Sequence, residues 1–215
     1  MSRDMSGQLL FVDLDDTLFR TQERRVEWMT REMGRDYARL YISGARGSSD
    51  DGSGADMGAV RDYCRQLDHD PEFYRGLPLV TGALSGLRMI EAAGYGRVFA
   101  YLSARPLELL KLSVNELASR GFPDAPVFCR PNRVRRRSAA GWKLSHVLQV
   151  NRSGSTRVII DDDPQVGVEA ARRCPRQTGQ VSVILFAEPT TSVAVAEHAR
   201  PLDWCGIANY LHGQP

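Results

Sequence analysis

The feature that most constrains this chain is a short apolar run, Leu9 to Val12, that stops abruptly at a carboxylate, Asp13. Similar runs recur at Val98 to Leu102, Pro126 to Cys129, Val158 to Ile160 and Val181 to Phe186, with helically spaced stretches between them. Alternation of short apolar strands with helices gives a parallel sheet covered on both faces. The expected fold class is therefore α/β.

The helical stretches can be placed by their apolar spacing. Leu84, Leu87 and Ile90 mark a helix over Thr81 to Ala93, with Thr81 as its N-cap and Gly94 as its stop. Pro106 suits the first turn of a helix whose buried face is Leu109, Leu110, Val114 and Leu117 and which Gly121 ends. A helix over Trp142 to Val150 carries Lys143, and Asp163 with Pro164 caps and opens another over Gln165 to Arg173.

More than 80 residues separate the first strand from the second, far more than a direct crossover needs. Val26, Met29, Met33, Tyr37 and Leu40 predict one amphipathic helix in this insertion, and Met57, Val60, Cys64 and Leu67 predict another. Nine of the sixteen residues from Ser43 to Gly58 are Gly or Ser, a composition that favours a mobile loop. With 11 acidic and 10 basic residues, the insertion at 20–76 reads as a solvated helical cap on a core formed by 1–19 and 77–215.

Charge limits the function classes. The whole chain is nearly neutral at +2, yet no Asp or Glu occurs from Ala125 through Ile160, where Arg130, Arg133, Arg135, Arg136, Arg137, Lys143, Arg152 and Arg157 fall. Asp161, Asp162 and Asp163 follow at once. A basic segment beside an acidic corner suits an anionic ligand held next to a divalent cation, although Arg130 to Arg137 also reads as a plain solvated loop. With 42% hydrophobic residues the chain is not disordered, and its longest apolar run, Val181 to Ala187, is far below the roughly 20 residues of a membrane span. Residues Met1 to Gln8 are polar, so a soluble cytoplasmic protein with no membrane partner is expected. Cys64, Cys129, Cys174 and Cys205 form no C-x-x-C pair and read as reduced thiols.

The chemistry concentrates in Asp13-Leu14-Asp15-Asp16-Thr17, where two carboxylates two residues apart follow an apolar strand. In open α/β sheets the ligand crevice lies at the carboxyl ends of the strands. Asp161 and Asp162 end another predicted strand and would join that edge. Gathered carboxylates repel and raise one another's pKa, so the cluster calls for a cation, and oxygen-only ligands suit Mg²⁺.

Four motifs then occur in order: Asp13-x-Asp15-x-Thr17; Ser103 ending Val98-Phe-Ala-Tyr-Leu-Ser; Lys143; and Val158-Ile-Ile-Asp161-Asp162. In these the chain resembles the haloacid dehalogenase (HAD) superfamily of aspartate-nucleophile phosphohydrolases. The resemblance implies a Rossmann-like parallel sheet sandwiched by helices, with a small helical cap inserted between strands 1 and 2. It makes Asp13 the nucleophile on phosphorus and Asp15 the general acid and base. Thr17 would orient the nucleophile loop, and Ser103, Ala104, Arg105 and Lys143 would bind the phosphoryl group. Mg²⁺ would be held by Asp13, Asp161, the main-chain carbonyl of Asp15, and Asp162 directly or through water. True dehalogenases lack an acid at the position of Asp15, which favours phosphate chemistry.

Finer resemblances diverge on substrate. Phe73 to Ala83 is similar to 5′(3′)-deoxyribonucleotidases, Tyr101-Leu-Ser-Ala-Arg to lipin phosphatidate phosphatases, and Ser-x-Arg to polynucleotide phosphatases. The leading expectation is a Mg²⁺-dependent phosphomonoesterase acting on a small phosphorylated metabolite such as a nucleotide or sugar phosphate. A nucleic-acid end phosphatase using the basic segment, and a non-hydrolytic phosphate-binding module on the same fold, stand beside it. Oligomeric state is not legible.

Overall fold

The computed structural model describes residues 8–45, 56–150, 155–174, 181–187 and 202–213. Five strands, β1 (Gln8–Val12), β2 (Gly96–Pro106), β3 (Val127–Arg130), β4 (Arg157–Asp161) and β5 (Val181–Leu185), form one parallel sheet in the order β3-β2-β1-β4-β5. The first strand is thus central, and chain order reverses between β1 and β4. Val12 pairs with Ile160, so the next residue on each strand, Asp13 and Asp161, leaves the same edge side by side.

Alternation along the strands sends successive side chains to opposite faces. Leu10, Val12, Val158 and Ile160 join one apolar cluster, whereas Leu9, Phe11 and Ile159 join the other. The first face is covered by α5 (Ala83–Ala92), α6 (Leu110–Ser119) and α9 (Trp204–His212), the second by α7 (Ala139–Gln149) and α8 (Pro164–Arg173). In β2 the alternation slips: Leu10 pairs with Val98 but Phe11 with Ala100, leaving Phe99 as an extra, bulged residue. Tyr101 therefore faces the same cluster as Val98.

Between β1 and β2 the chain forms α1 (Thr21–Glu32), α2 (Arg35–Ala45), α3 (Met57–Leu67) and the short α4 (Pro71–Tyr74). The segment entering this insertion and the segment leaving it are paired: Arg20 N–H donates to the Pro78 carbonyl and Val80 N–H to that of Leu18, both at 2.9 Å. Met29, Ala38, Leu40 and Val60 make a separate small core for the insertion.

Several sequence expectations are corrected. The single helix through Val26 to Leu40 is two, because Gly34 takes φ +101°, a conformation that breaks the helix and that Gly adopts without strain. Helix α5 begins at Ala83 after Gly82, and Thr81 caps nothing; its hydroxyl accepts from Arg20 Nη2 at 2.8 Å. Pro106 ends β2, and a 3-10 turn over Leu107–Leu109 precedes α6, which rotates the buried face onto Leu109, Ser113 and Leu117 and leaves Val114 exposed. Helix α7 starts three residues before Trp142. Most of the Gly/Ser-rich 43–58 stretch, residues 46–55, lies outside the described residues.

Helix α9 drew no sequence expectation, yet Trp204, Ile207, Ala208 and Leu211 have helical spacing and Asp203 caps it by accepting from Gly206 N–H. Trp204 Nε1 donates to the Thr17 carbonyl at 3.0 Å, tying the far end of the chain to the loop after β1. Trp204→Phe keeps an aromatic ring at this position but loses the N–H, orphaning that buried carbonyl, and part of the buried indole. Stability is expected to fall by about 1–3 kcal/mol, measurable by denaturant unfolding.

Candidate active site

The loop from Asp13 to Phe19 is built by local hydrogen bonds. Leu18 and Phe19 N–H groups both donate to the Leu14 carbonyl, and Asp16 takes φ +57°, unusual for a non-Gly residue but most tolerated by Asn and Asp. Its carboxylate accepts from Gln22 N–H at 2.7 Å, fixing the start of α1 against the loop. Asp16 thus serves the turn and also borders the crevice.

Asp13, Asp161 and Asp162 converge where β1 and β4 end, each offering one oxygen within 4.8 Å of the others. Lys143, on the second turn of α7, reaches between them: its Nζ lies 2.7 Å from Asp13 Oδ1 and donates to Asp161 Oδ2 at 2.8 Å. The other oxygen of Asp161 accepts from Asp163 N–H at 3.0 Å. Asp13, Lys143 and Asp161 are all buried. One ammonium does not balance three carboxylates in so dry a place. Burial pushes the Asp13 carboxyl up to about 8; Lys143 opposes that shift, while Asp161 and Asp15 add to it. Asp161 is raised mainly by burial, and Asp162 is raised further by burial and by the charges of Asp16, Asp13 and Asp161. Lys143 is held firmly protonated by its two carboxylates against the effect of burial. The donor set, hard carboxylate oxygens with a deficit of positive charge, fits Mg²⁺.

Asp15 points elsewhere. Arg105 Nε donates to both of its oxygens at 3.0 and 3.1 Å, Arg105 Nη2 to Oδ1 at 2.7 Å, and Thr21 Oγ1 to Oδ1 at 2.6 Å. Burial alone would raise this carboxyl, but Arg105 by charge and hydrogen bond holds it below the usual carboxylate range. Arg105 itself is 2% exposed, with its guanidinium 4.5 Å from the Tyr74 ring centroid and 5.5 Å from that of Phe19, and its Nη1 donates to Ser113. Ser103 is fully buried; its hydroxyl accepts from Arg105 N–H at 3.1 Å and lies 3.5 Å from Asp15 Oδ2.

Of the sequence-predicted residues, Asp13, Asp15, Ala104, Arg105, Lys143 and Asp162 border one cavity of about 560 Å³. Asp161 sits beneath it on Lys143. Thr17 is fully buried behind the loop, its hydroxyl without a hydrogen-bond partner among the described residues. Asp163 caps α8 by accepting from Gln165 N–H. The sequence did not single out Thr21, Arg25, Tyr41, Asp68 or Tyr74 of the insertion, yet all border the same cavity, together with Arg136 and Arg137 of the basic segment. Arg130 is no solvated residue either: it is buried and donates to the carbonyls of Ala104 and Val134.

The five-stranded order with its crossover reversal and its inserted helices matches solved structures along nearly the whole chain. A HAD-superfamily hydrolase of subfamily IA from Geobacter sulfurreducens superposes with a TM-score of 0.53 at 13% identity, covering 98% of this chain and 99% of that one. The chain shares the fold of this hydrolase. A protein from Lactobacillus delbrueckii subsp. bulgaricus assigned as a phosphoglycolate phosphatase gives 0.56 at 15% identity, covering 96% and 99%. Protein Tyrosine Kinase A of Mycobacterium tuberculosis gives 0.54 at 18% identity, covering 95% and 98%. No protein-family model matches the chain, and no curated protein matches it in sequence. On this fold the carboxylate cluster occupies the crevice expected at a topological switch point, between β1 and β4. Among the described residues no helix is long and apolar enough to cross a membrane.

Proposed function

We propose that the protein is a Mg²⁺-dependent phosphomonoesterase that works through an aspartyl-phosphate on Asp13, with a small phosphorylated metabolite as substrate. The observation that carries this reading is the convergence of Asp13, Asp161 and Asp162 around Lys143 at the ends of adjacent strands. A fold shared with both hydrolases and a tyrosine kinase does not choose the chemistry; the residues do.

Asp13 attacks phosphorus, the P–O bond to the leaving alcohol breaks, and water later attacks the same phosphorus and releases phosphate, returning Asp13. Lys143 keeps the attacking carboxylate aligned and neutralises phosphoryl oxygen charge, the main demand of a loose transition state. Asp15 hands a proton to the leaving oxygen and takes one from the incoming water. Its ionised resting state, held by Arg105, suits the second task; the charge of a bound phosphoryl group raises its proton affinity for the first. Ala104 and Arg105 border the cavity at the end of β2 and would meet the phosphoryl oxygens, with the buried Ser103 hydroxyl behind them holding Arg105 N–H and Asp15 in place. Asp13, Asp161, Asp162 and the Asp15 carbonyl would hold Mg²⁺, which would supply further charge neutralisation. Asp15 also separates this reading from dehalogenation, which uses no acid there.

The test is phosphate release from p-nitrophenyl phosphate, expected with Mg²⁺ and lost with EDTA. A binding measurement stands beside it: Mg²⁺ at about 100 times its Kd should stabilise the fold by about 2.7 kcal/mol, a Tm rise of roughly 5–10 °C for a chain of this size. No thermal shift and no release would overturn the assignment.

A second reading, a nucleic-acid end phosphatase, draws on Arg133 and Arg135, exposed next to Arg136 and Arg137 at the cavity. It predicts oligonucleotide binding that weakens steeply with salt.

A further inference from the structure

The cavity has two walls of opposite character. Its floor comes from the strand ends: Asp13, Asp15 and Asp162 with Lys143. The facing wall comes from the inserted helices and the β3–α7 loop, and it is cationic: Arg25 from α1, with Arg136 and Arg137 preceding α7, against one carboxylate, Asp68, after α3. Among the residues bordering the cavity, this wall therefore carries two positive charges in excess.

We infer that this wall is a second anion subsite, so that the substrate is a phosphomonoester bearing another anionic group, a carboxylate or a second phosphate, away from the scissile phosphate. The inference rests on the phosphomonoesterase reading and deepens it by naming the substrate class.

Asp68 shows how such an anion is held. Its carboxylate accepts from Arg25 Nη2 at 3.0 Å and from Arg136 Nη1, so two guanidinium groups that would otherwise repel converge on one acceptor. Arg25 is buried, with its guanidinium 5.3 Å from the Phe73 ring centroid, and its Nε is buried without a hydrogen-bond partner among the described residues. A buried donor left unsatisfied is costly, and a guanidinium fork is the side-chain group best shaped for a carboxylate or phosphate. Arg136 and Arg137 are exposed at the rim, where their charge draws an anion inward and their side chains can move to meet it. The volume, about 560 Å³, lies within the range of small-molecule sites. A neutral or cationic tail would instead leave Arg25 and Arg136 with a single shared carboxylate.

Matched pairs test this. Phosphate release is measured for 3-phosphoglycerate against glycerol 3-phosphate, and for adenosine 3′,5′-bisphosphate against adenosine 3′-monophosphate; p-nitrophenyl phosphate and a 3′-phosphorylated tetrathymidylate complete the set. The doubly anionic member of at least one pair is expected to be favoured at least about tenfold in kcat/KM, mainly through KM. Which pair shows it tells carboxylate from phosphate. In Arg136→Gln that ratio should fall to within about twofold of unity, with Arg136→Lys intermediate; Arg137→Gln, at an exposed position, guards against a folding defect in the first variant. A ratio near unity in the wild type, a ratio unchanged in both Gln variants, or a preference for the oligonucleotide over both pairs would overturn the inference. Turnover of p-nitrophenyl phosphate without any preference for a second anion sinks this inference alone. No turnover of any probe sinks the reading beneath it as well.

Discussion

Asp13→Asn is expected to lower Mg²⁺-dependent phosphate release by at least about 10⁴-fold, roughly 5.5 kcal/mol of barrier, in a protein that stays folded. An amide has no oxygen basic enough to form the acyl phosphate, whereas its size and shape match the carboxylate it replaces. The substitution leaves Lys143 its bond to Asp161, so the strand-end geometry keeps one of its two ion pairs. It also removes one of three crowded acids from a site where burial already disfavours charge. Circular dichroism and Tm should therefore remain close to wild type in the metal-free protein. Mg²⁺ should bind more weakly, because the cluster loses one of its three carboxylates. Residual release above one per cent of wild type, from folded variant, would remove Asp13 from the role of nucleophile. The comparison is cleaner than deleting Lys143, which would leave the carboxylates with no cation among themselves and confound catalysis with folding.

How much of this was legible beforehand divides along sequence distance. Strand ends could be read because apolar runs stop at Asp13, Ser103 and Asp161, and a parallel sheet must place those stops on one edge. Lys143 stood out as one of two lysines among 28 basic residues. Apolar spacing misleads where a single backbone angle decides the outcome, as at Gly34, or where a short 3-10 turn rotates a helix face, as at Val114. What sequence reading could not supply was pairing. The Ser-x-Arg segment suggests a phosphate contact for Arg105, but nothing near it in sequence shows that its guanidinium also pairs with Asp15, 90 positions earlier. Asp68 and Arg136 are separated by 68 positions and carry no motif. Helix α9 could have been found, since Trp204, Ile207, Ala208 and Leu211 carry the spacing of a buried helical face.

The Arg105–Asp15 pair gives the other large expected effect. Arg105→Met replaces the guanidinium with an unbranched apolar chain that still packs between Tyr74 and Phe19, but it leaves the Asp15 carboxylate with Thr21 and Ser103, no hydrogen-bonded cation, and only the weaker charge of Arg136. Removing one partner of a buried pair costs about 3–5 kcal/mol. Because the Asp15 side chain keeps 21% exposure, the lower end applies, roughly 3 kcal/mol, or about 6–12 °C in Tm. The pH dependence separates this loss from one of packing. In the wild type the folded Asp15 lies below its unfolded value of 3.8, so its contribution is complete above that value and disappears as pH falls through the lower folded one. In Arg105→Met the sign reverses: burial, the largest influence on this carboxyl, outweighs the weaker charge of Arg136 and raises the folded value, so the variant loses stability as pH climbs from about 4 toward neutrality. The gap in Tm between the two proteins should therefore be wide at pH 8 and narrow near pH 4. Adding Asp15→Asn to Arg105→Met should recover most of the loss at pH 8, since no unpaired charge remains. A gap of equal size at both pH values, or no recovery in the double variant, would show that Arg105 stabilises the fold by packing against Tyr74 and Phe19 and not by holding Asp15 ionised.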